Sequence, residues 1–167
     1  MLIFETLKKN KINKKKVDSL CKLKNTFWKF GISANKKWFY KNVKANDLNL
    51  FLTKNGSLIG YTLLRKRTYK QNKKKKYFFY LDTIITSKKL RNKGFGQLLL
   101  AYNNFVIKKN SLIGFLLCRT KNIDFYRKMG WKLISKSKFI ILNKKTKNLH
   151  ALILTEKKIS KKYEFEI

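Results

Sequence analysis

The chain has no proline, one histidine, two cysteines and eight acidic residues in a length of 167. Without proline-rich or low-complexity linkers, nothing marks a second domain, and residues 1–167 are expected to form one domain. Cys21 and Cys118 lie far apart in sequence and suggest no disulfide framework, and with His150 they offer almost no ligands for a metal site. No apolar run approaches the roughly 20 residues that a membrane helix needs. The opening Met1-Leu2-Ile3-Phe4-Glu5 turns polar too soon for a signal peptide. A cytoplasmic, reducing location and no membrane partner are the resulting expectations.

The scarcity of acids leaves a net charge of +34. Its obvious meaning is nucleic acid or an anionic surface. Two features argue against that meaning. Arg occurs only at 65, 67, 91, 119 and 127, so the 42 basic residues comprise 42 − 5 = 37 Lys, whereas phosphate clamps and base readers favour Arg. Lys, Asn, Ile, Phe and Tyr are abundant and Ala is rare, the bias an A+T-rich coding sequence imposes on any protein. Nucleic acid is therefore not expected as a partner, while the positive field remains favourable to small anions.

What is present is apolar patterning and one glycine-bearing loop. Tyr77-Phe78-Phe79-Tyr80-Leu81, followed by Asp82-Thr83-Ile84-Ile85-Thr86, reads as a strand buried on both faces. Phe95, Leu98, Leu99, Tyr102 and Val106 then recur at helical spacing. Between them stands Arg91-Asn92-Lys93-Gly94-Phe95-Gly96, at a strand-to-helix junction. There the first helical N–H groups lack partners and, with the helix dipole, make an anion site. Glycine removes the Cβ atoms that would hold a phosphate away.

Elsewhere, residues 2–7 read as a strand, 14–30 as a helix stopped by Gly31, and a short second helix starts at Ser33 as N-cap. Trp28, Trp38, Phe39 and Tyr40 read first as helix core, with an acceptor-pocket wall as the alternative. Residues 48–54 and 58–69 are strands joined by Asn55-Gly56, a strong hairpin signal. The lysine run 73–76 reads as a solvated loop. Residues 112–118 form a second apolar strand, and Asn122 caps a helix ending at Gly130. Residues 131–142 and 149–156 form a long hairpin around 143–148, and 157–167 a charged, frayed tail.

Arg91, Gly94 and Gly96 fill every fixed position of Arg/Gln-x-x-Gly-x-Gly/Ala, so the loop resembles the acetyl-CoA signature of the GCN5-related N-acetyltransferase superfamily. Asn122-Ile123-Asp124-Phe125-Tyr126-Arg127-Lys128-Met129-Gly130-Trp131 is similar to that superfamily's later Phe-Tyr-x-Lys-x-Gly-aromatic motif. The resemblance implies a mixed-sheet α/β (α+β) fold, ordered β-α-α-β-β-β-α-β-α-β-β. It also implies direct transfer of an acetyl group from acetyl-CoA, as co-substrate, to a primary amine.

By that resemblance Arg91, Asn92, Lys93, Gly94, Phe95, Gly96 and Gln97 hold the pyrophosphate. Ile84, Ile85 and Thr86 pair with the pantetheine and thioester, and Asn122 touches the pantetheine arm. Tyr126 aligns with the tyrosine that protonates the leaving thiolate. Asp82 interrupts an apolar strand, where a charge usually has a reason; it is the candidate base, with pairing to a Lys or capping of a bulge as the alternatives. His150 is expected to be solvent-exposed and Cys118 a small buried side chain. The acceptor stays open among small amines, amino sugars, anionic metabolites and peptides, and a homodimer through the last strands is open too. Rival readings are a non-catalytic CoA-binding protein and a nucleic-acid-binding protein on the same fold.

Overall fold

The computed structural model describes residues 1–142, 146, 148–157 and 162–167. Among the described residues are nine strands and four α-helices, a mixed α/β fold with one mixed sheet. The chain divides into two compact units, Met1–Arg65 with Thr83–Leu99, and Lys66–Asp82 with Leu100–Ile167.

In the first unit β1 (Leu2–Lys8) pairs antiparallel with β2 (Leu48–Lys54), and β2 with β3 (Ser57–Gln71) over residues Ser57 to Leu64. The β2–β3 turn is the expected one: Asn55 and Gly56 have φ of 48° and 74°, the left-handed pair that a two-residue hairpin requires. Alternation along the strands gives the sheet two apolar faces. One carries Phe51, Tyr61 and Leu63 and is covered by Val17, Leu20, Cys21 and Leu23 of α1 (Lys14–Asn25) and Phe39 of α2 (Ile32–Asn42). The other carries Leu52 and Ile59 and receives Leu99, from the start of α3 (Phe95–Lys109). Gly60 permits that approach, because a Cβ there would stand 2.5 Å from Leu99 Cδ1.

Helix α1 is shorter than its apolar periodicity predicts. The Thr26 hydroxyl donates to the Leu23 carbonyl at 2.8 Å, and the Asn25 side chain accepts from Gly31 N–H at 2.9 Å. These bonds hold residues 26–31 as a turn and leave Phe30 74% exposed. Gly31, with φ of 87°, begins α2 rather than ending α1, so Ser33 lies inside α2 and is not its cap. Of the four aromatics assigned to helix core, Phe39 is buried, Trp38 packs at the core's edge, and Trp28 and Tyr40 are exposed.

In the second unit β4 (Lys74–Thr86) pairs in parallel with β5 (Ile113–Cys118), Phe78–Tyr80 against Ile113–Phe115. β5 pairs antiparallel with β8 (His150–Leu154), and β8 with β6 (Lys132–Ile134). β4 is buried on both faces only from Phe78 to Leu81, then alternates, and Tyr77 is 58% exposed. The lysine run is not a loop. β3 extends to Gln71, Asn72 and Lys73 form a two-residue turn with φ of 53° and 61°, and Lys74, Lys75 and Lys76 belong to β4. Strand pairing and the turn outweigh the weak β-propensity of lysine.

The expected hairpin of 131–142 with 149–156 is also revised. β6 stops at Ile134, a turn at residues 135–138 redirects the chain, and β7 (Phe139–Ile141) pairs in parallel with β9 (Tyr163–Glu166). β9 pairs on its other edge with Thr68, Tyr69 and Lys70 of β3. The end read as frayed therefore contains a strand, and residues 143–145, 147 and 158–161 lie outside the described residues. The reason is burial: Phe165 is fully enclosed, its ring 3.9 Å from that of Phe115 and 4.8 Å from that of Phe78. Enclosing one such ring contributes roughly 1.5–3 kcal/mol.

Candidate active site

In the first unit β4 ends at Thr86, where Ser87 N–H donates to the Ile59 carbonyl at 2.7 Å and fixes the exit from the strand. Ile85 is buried in the core, whereas Ile84 and Thr86 are half-buried. Residues 91–94 are exposed. Asn92 and Gly94 adopt φ of 60° and 79°, a conformation glycine takes freely and asparagine tolerates. The first bond of α3 runs from Leu98 N–H to the Gly94 carbonyl at 2.9 Å. The N–H groups of Phe95, Gly96 and Gln97 thus precede the helix's own ladder. A Cβ placed on Gly94 would meet no atom within 4 Å, so the backbone is open to a ligand there.

The loop is strongly positive. Lys88, Lys89, Arg91 and Lys93 stand in it or just before it, and no acidic residue occurs from 83 to 99. The Arg91 guanidinium lies 4.7 Å from the Phe27 ring centre, with Lys88 Nζ at 5.8 Å from the same ring, and Lys54 Nζ is 5.7 Å from Phe95. Phe27 therefore holds Arg91 by a cation–π contact, worth about 0.5–1 kcal/mol at an exposed site. Nearby in the unit, Trp38 has Lys24 Nζ at 3.7 Å and the Arg65 guanidinium at 5.4 Å.

The second unit holds the other candidates. The parallel β4–β5 register ends at Tyr80 and Phe115, so Leu81 and Asp82 on β4 and Leu116, Leu117 and Cys118 on β5 lie beyond it. Asp82 is half-buried among buried neighbours and takes part in an interaction of its own. Tyr126, in α4 (Ile123–Arg127), is 8% exposed, with its ring 5.1 Å from Phe125 and 6.2 Å from Trp131. Burial, and then the nearby Cys118 thiol, push its phenol upward from the ordinary 10.0. It stays a neutral O–H donor. Burial likewise pushes the Cys118 thiol above 9.0, which keeps it unreactive as a nucleophile.

Asn122 occupies the N-cap position of α4, but its side chain makes no capping bond there, and it is exposed. His150 is half-buried rather than solvent-exposed, with Nε2 3.0 Å from Thr120 Oγ1 and its backbone opposite Cys118. The Asn104 side chain donates to the Met129 carbonyl at 2.8 Å and accepts from Trp131 Nε1 at 2.9 Å. These two bonds tie α3 to the segment that follows Tyr126. Among the described residues, no group of three His, Cys, Asp or Glu is placed to hold a metal ion.

Comparison with known families matches residues 17–131 to the acetyltransferase (GNAT) family. That interval holds both the Arg91–Gly96 loop and the Tyr126 segment and covers well over half of the chain. The chain belongs to the GNAT acetyltransferase family. It is accordingly an acyl-CoA-dependent N-acyltransferase with acetyl-CoA as co-substrate. Solved structures agree in fold. The GNAT family N-acetyltransferase YhbS from Escherichia coli, in complex with CoA, has a TM-score of 0.69 at 12% identity, over 99% of this chain and 89% of that one. Escherichia coli ElaA gives 0.68 at 14% identity, over 93% and 100%. The ribosomal-protein-S18-alanine N-acetyltransferase from Escherichia coli gives 0.66 at 16%, over 92% and 93%. Comparison with curated protein sequences finds no match.

Several residues beside the candidate site of this GNAT acetyltransferase carry no motif. Lys88 and Lys89 adjoin the motif and were legible as a positive run. Phe27 and Asn104 act through contacts to residues distant in sequence, Arg91 and Trp131, and no local pattern announces them.

Proposed function

We propose that this acetyltransferase moves the acetyl group of acetyl-CoA directly to a primary amine on a small acceptor carrying phosphate or carboxylate, and that the whole chain acts as one catalytic domain. The observation that carries the reading is the Arg91–Gly96 loop: cationic, exposed over residues 91–94, open at Gly94 and set before the first N–H groups of α3. The N–H groups of residues 92–97 would bind the pyrophosphate. Arg91 would pair with it, and the backbone of Ile84, Ile85 and Thr86 would hold the pantetheine, helped by Asn122. The family match spans residues of both units, which supports the single-domain reading. The excess of cations around Trp38 and the loop supports an anionic acceptor.

Acetyl-CoA supplies the activated acyl carbon. The acceptor nitrogen bonds to that carbon as the carbon–sulfur bond breaks. Asp82 accepts the proton leaving nitrogen and releases it to solvent, and Tyr126 donates the proton that the departing thiolate needs, regaining it from solvent. Because burial raises the Tyr126 phenol, its O–H is present throughout the working pH range. Its part is to stabilise the thiolate by donation, without a prior ionised state.

Calorimetric titration tests the cofactor site. One-to-one binding of acetyl-CoA to the wild type, lost in a folded Gly94→Glu, Gly96→Glu variant, is expected. Absence of binding to the folded wild type refutes the site. Thiol release with a panel of phosphorylated and neutral amines then tests the acceptor class. Tyr126→Phe is expected to lower kcat by about 100-fold, within the range for a general acid, with acetyl-CoA binding unchanged.

A further inference from the structure

The second unit carries a basic surface that acetyl transfer does not use. From 66 to 81 there is no acidic residue, while Lys66, Arg67, Lys70 and the lysine run 73–76 supply positive charge. The structure concentrates that charge on the outer end of the β3–β4 hairpin. Lys66, Lys70 and all four lysines of the run are exposed, and the chain turns at Asn72 and Lys73, between β3 and β4. Among them Tyr77 offers a 58% exposed ring, with Lys66 Nζ 4.8 Å from its centre. The ring is thus accessible for stacking and is already paired with a cation.

Beside Tyr77 opens a cleft of about 1250 Å³, to which Lys76, Lys132 and Lys157 also contribute. It exceeds the roughly 300–1,000 Å³ of small-molecule sites, so it suits an extended ligand. Among the described residues its lining includes one acid, Glu156, whose carboxylate is 3.1 Å from Lys108 Nζ. On the neighbouring β9, Glu166 accepts from the Thr68 hydroxyl at 2.7 Å, and Glu164 lies beside Lys70, Lys73 and Lys162. These acids are engaged locally, and Glu164 shares a small pocket with Lys73, the first lysine of the run.

We propose that this tip and cleft bind a single-stranded nucleic acid. Lysines at 73, 75 and 76 would neutralise successive phosphates and Tyr77 would stack on an unpaired base. A positively charged groove with an exposed aromatic is how sequence-tolerant single-strand binding is built. In a duplex the bases are already stacked and unavailable to Tyr77. A lipid surface would use the same lysines but offers no ring for Tyr77 to stack on, and vesicle binding distinguishes the two. The inference is tested apart from the acetyl-transfer reading, on Lys73, Lys75, Lys76 and Tyr77 of the hairpin, although the cleft is also lined by Asn104 and Met129, which hold the segment after Tyr126. It also departs from what composition suggests, because placement rather than total charge carries it.

Fluorescence anisotropy of the full chain with a labelled oligouridine RNA across a salt series tests it. Lys73→Glu, Lys75→Glu, Lys76→Glu is compared with a control of equal charge change on exposed lysines of the first unit, Lys15→Glu, Lys22→Glu, Lys29→Glu. The hairpin variant is expected to reduce the slope of log affinity against log salt by about 2, at about 0.7 per single-strand phosphate contact, with the control close to wild type. Tyr77→Ala is expected to weaken binding about tenfold and leave the slope unchanged. Lys→Gln versions replace any Glu variant whose circular dichroism shows misfolding. Equal losses in hairpin and control variants, or no effect of Tyr77→Ala, overturn the proposal. So does equally tight binding of duplex RNA or of vesicles rich in anionic lipid.

Discussion

Two glycine-to-alanine substitutions separate the loop's chemistry from the fold. At Gly94, φ of 79° costs an alanine about 1–2 kcal/mol. The stiffer unfolded chain returns about 0.4–1 kcal/mol, and the added Cβ meets nothing within 4 Å. The net loss is about 0–1.6 kcal/mol, a fall in Tm of at most about 6 °C at about 2–4 °C per kcal/mol for this size. At Gly114 a Cβ would stand 2.8 Å from Trp131 Cη2, 3.0 Å from Ile107 Cδ1 and 3.1 Å from Leu154 Cβ. The ring is rigid and Leu154 Cβ is anchored to a strand, so relief requires backbone movement, at about 1–3 kcal/mol. Thermal unfolding and acetyl-CoA titration are run on both. Gly94→Ala is expected to keep its fold and lose at least about tenfold in affinity, because the Cβ occupies the space where phosphate meets backbone. Gly114→Ala is expected to lose stability, with wild-type affinity in the fraction that stays folded. Wild-type affinity in folded Gly94→Ala would refute the assignment of the loop.

Other perturbations have defined outcomes. Asn104→Ala leaves the Met129 carbonyl and Trp131 Nε1 without their partner; a loss of about 1–3 kcal/mol in denaturant unfolding is expected. The folded-state pKa values of Cys118 and Cys21 are raised from 9.0, and those of Tyr69 and Tyr126 from 10.0, all chiefly by burial. The stability tied to these neutral groups is fully present below pH 9.0 and is lost as pH rises toward their folded values. Stability that stays flat well above pH 10 in urea titrations would contradict the burial of these groups. Both thiols are buried, so maleimide should label the native protein slowly and modify two cysteines quickly after denaturation.

The conformation of the candidate loop was legible because its determinants are local. The loop needs glycine where φ is positive, a strand before it and a helix after it, and all three lie within residues 77–109. The Asn55-Gly56 turn, the two early helices and the apolar run of β5 are similarly written in short windows. Misreadings arose where one pattern has two structural solutions. Apolar spacing continued α1 to Phe30, but the side chains of Asn25 and Thr26 compete for backbone groups and stop it. A lysine run reads as loop by composition, yet a left-handed pair at Asn72 and Lys73 turns it into strand.

By itself the sequence determined the motif loop, the family, the Asn55-Gly56 hairpin and the existence of the helices, since periodicity, turn residues and motif spacing depend on neighbours along the chain. Tertiary structure alone decided the partners of the C-terminal strands: Phe139 opposite Tyr163, and Tyr69 opposite Phe165. It also decided the docking of Arg91 on Phe27 and the bridging role of Asn104. The physical reason is common to these cases. Side chains remote in sequence become neighbours only when burial of rings such as Phe115 and Phe165 offsets the entropy of closing long loops, and local pattern does not record that balance.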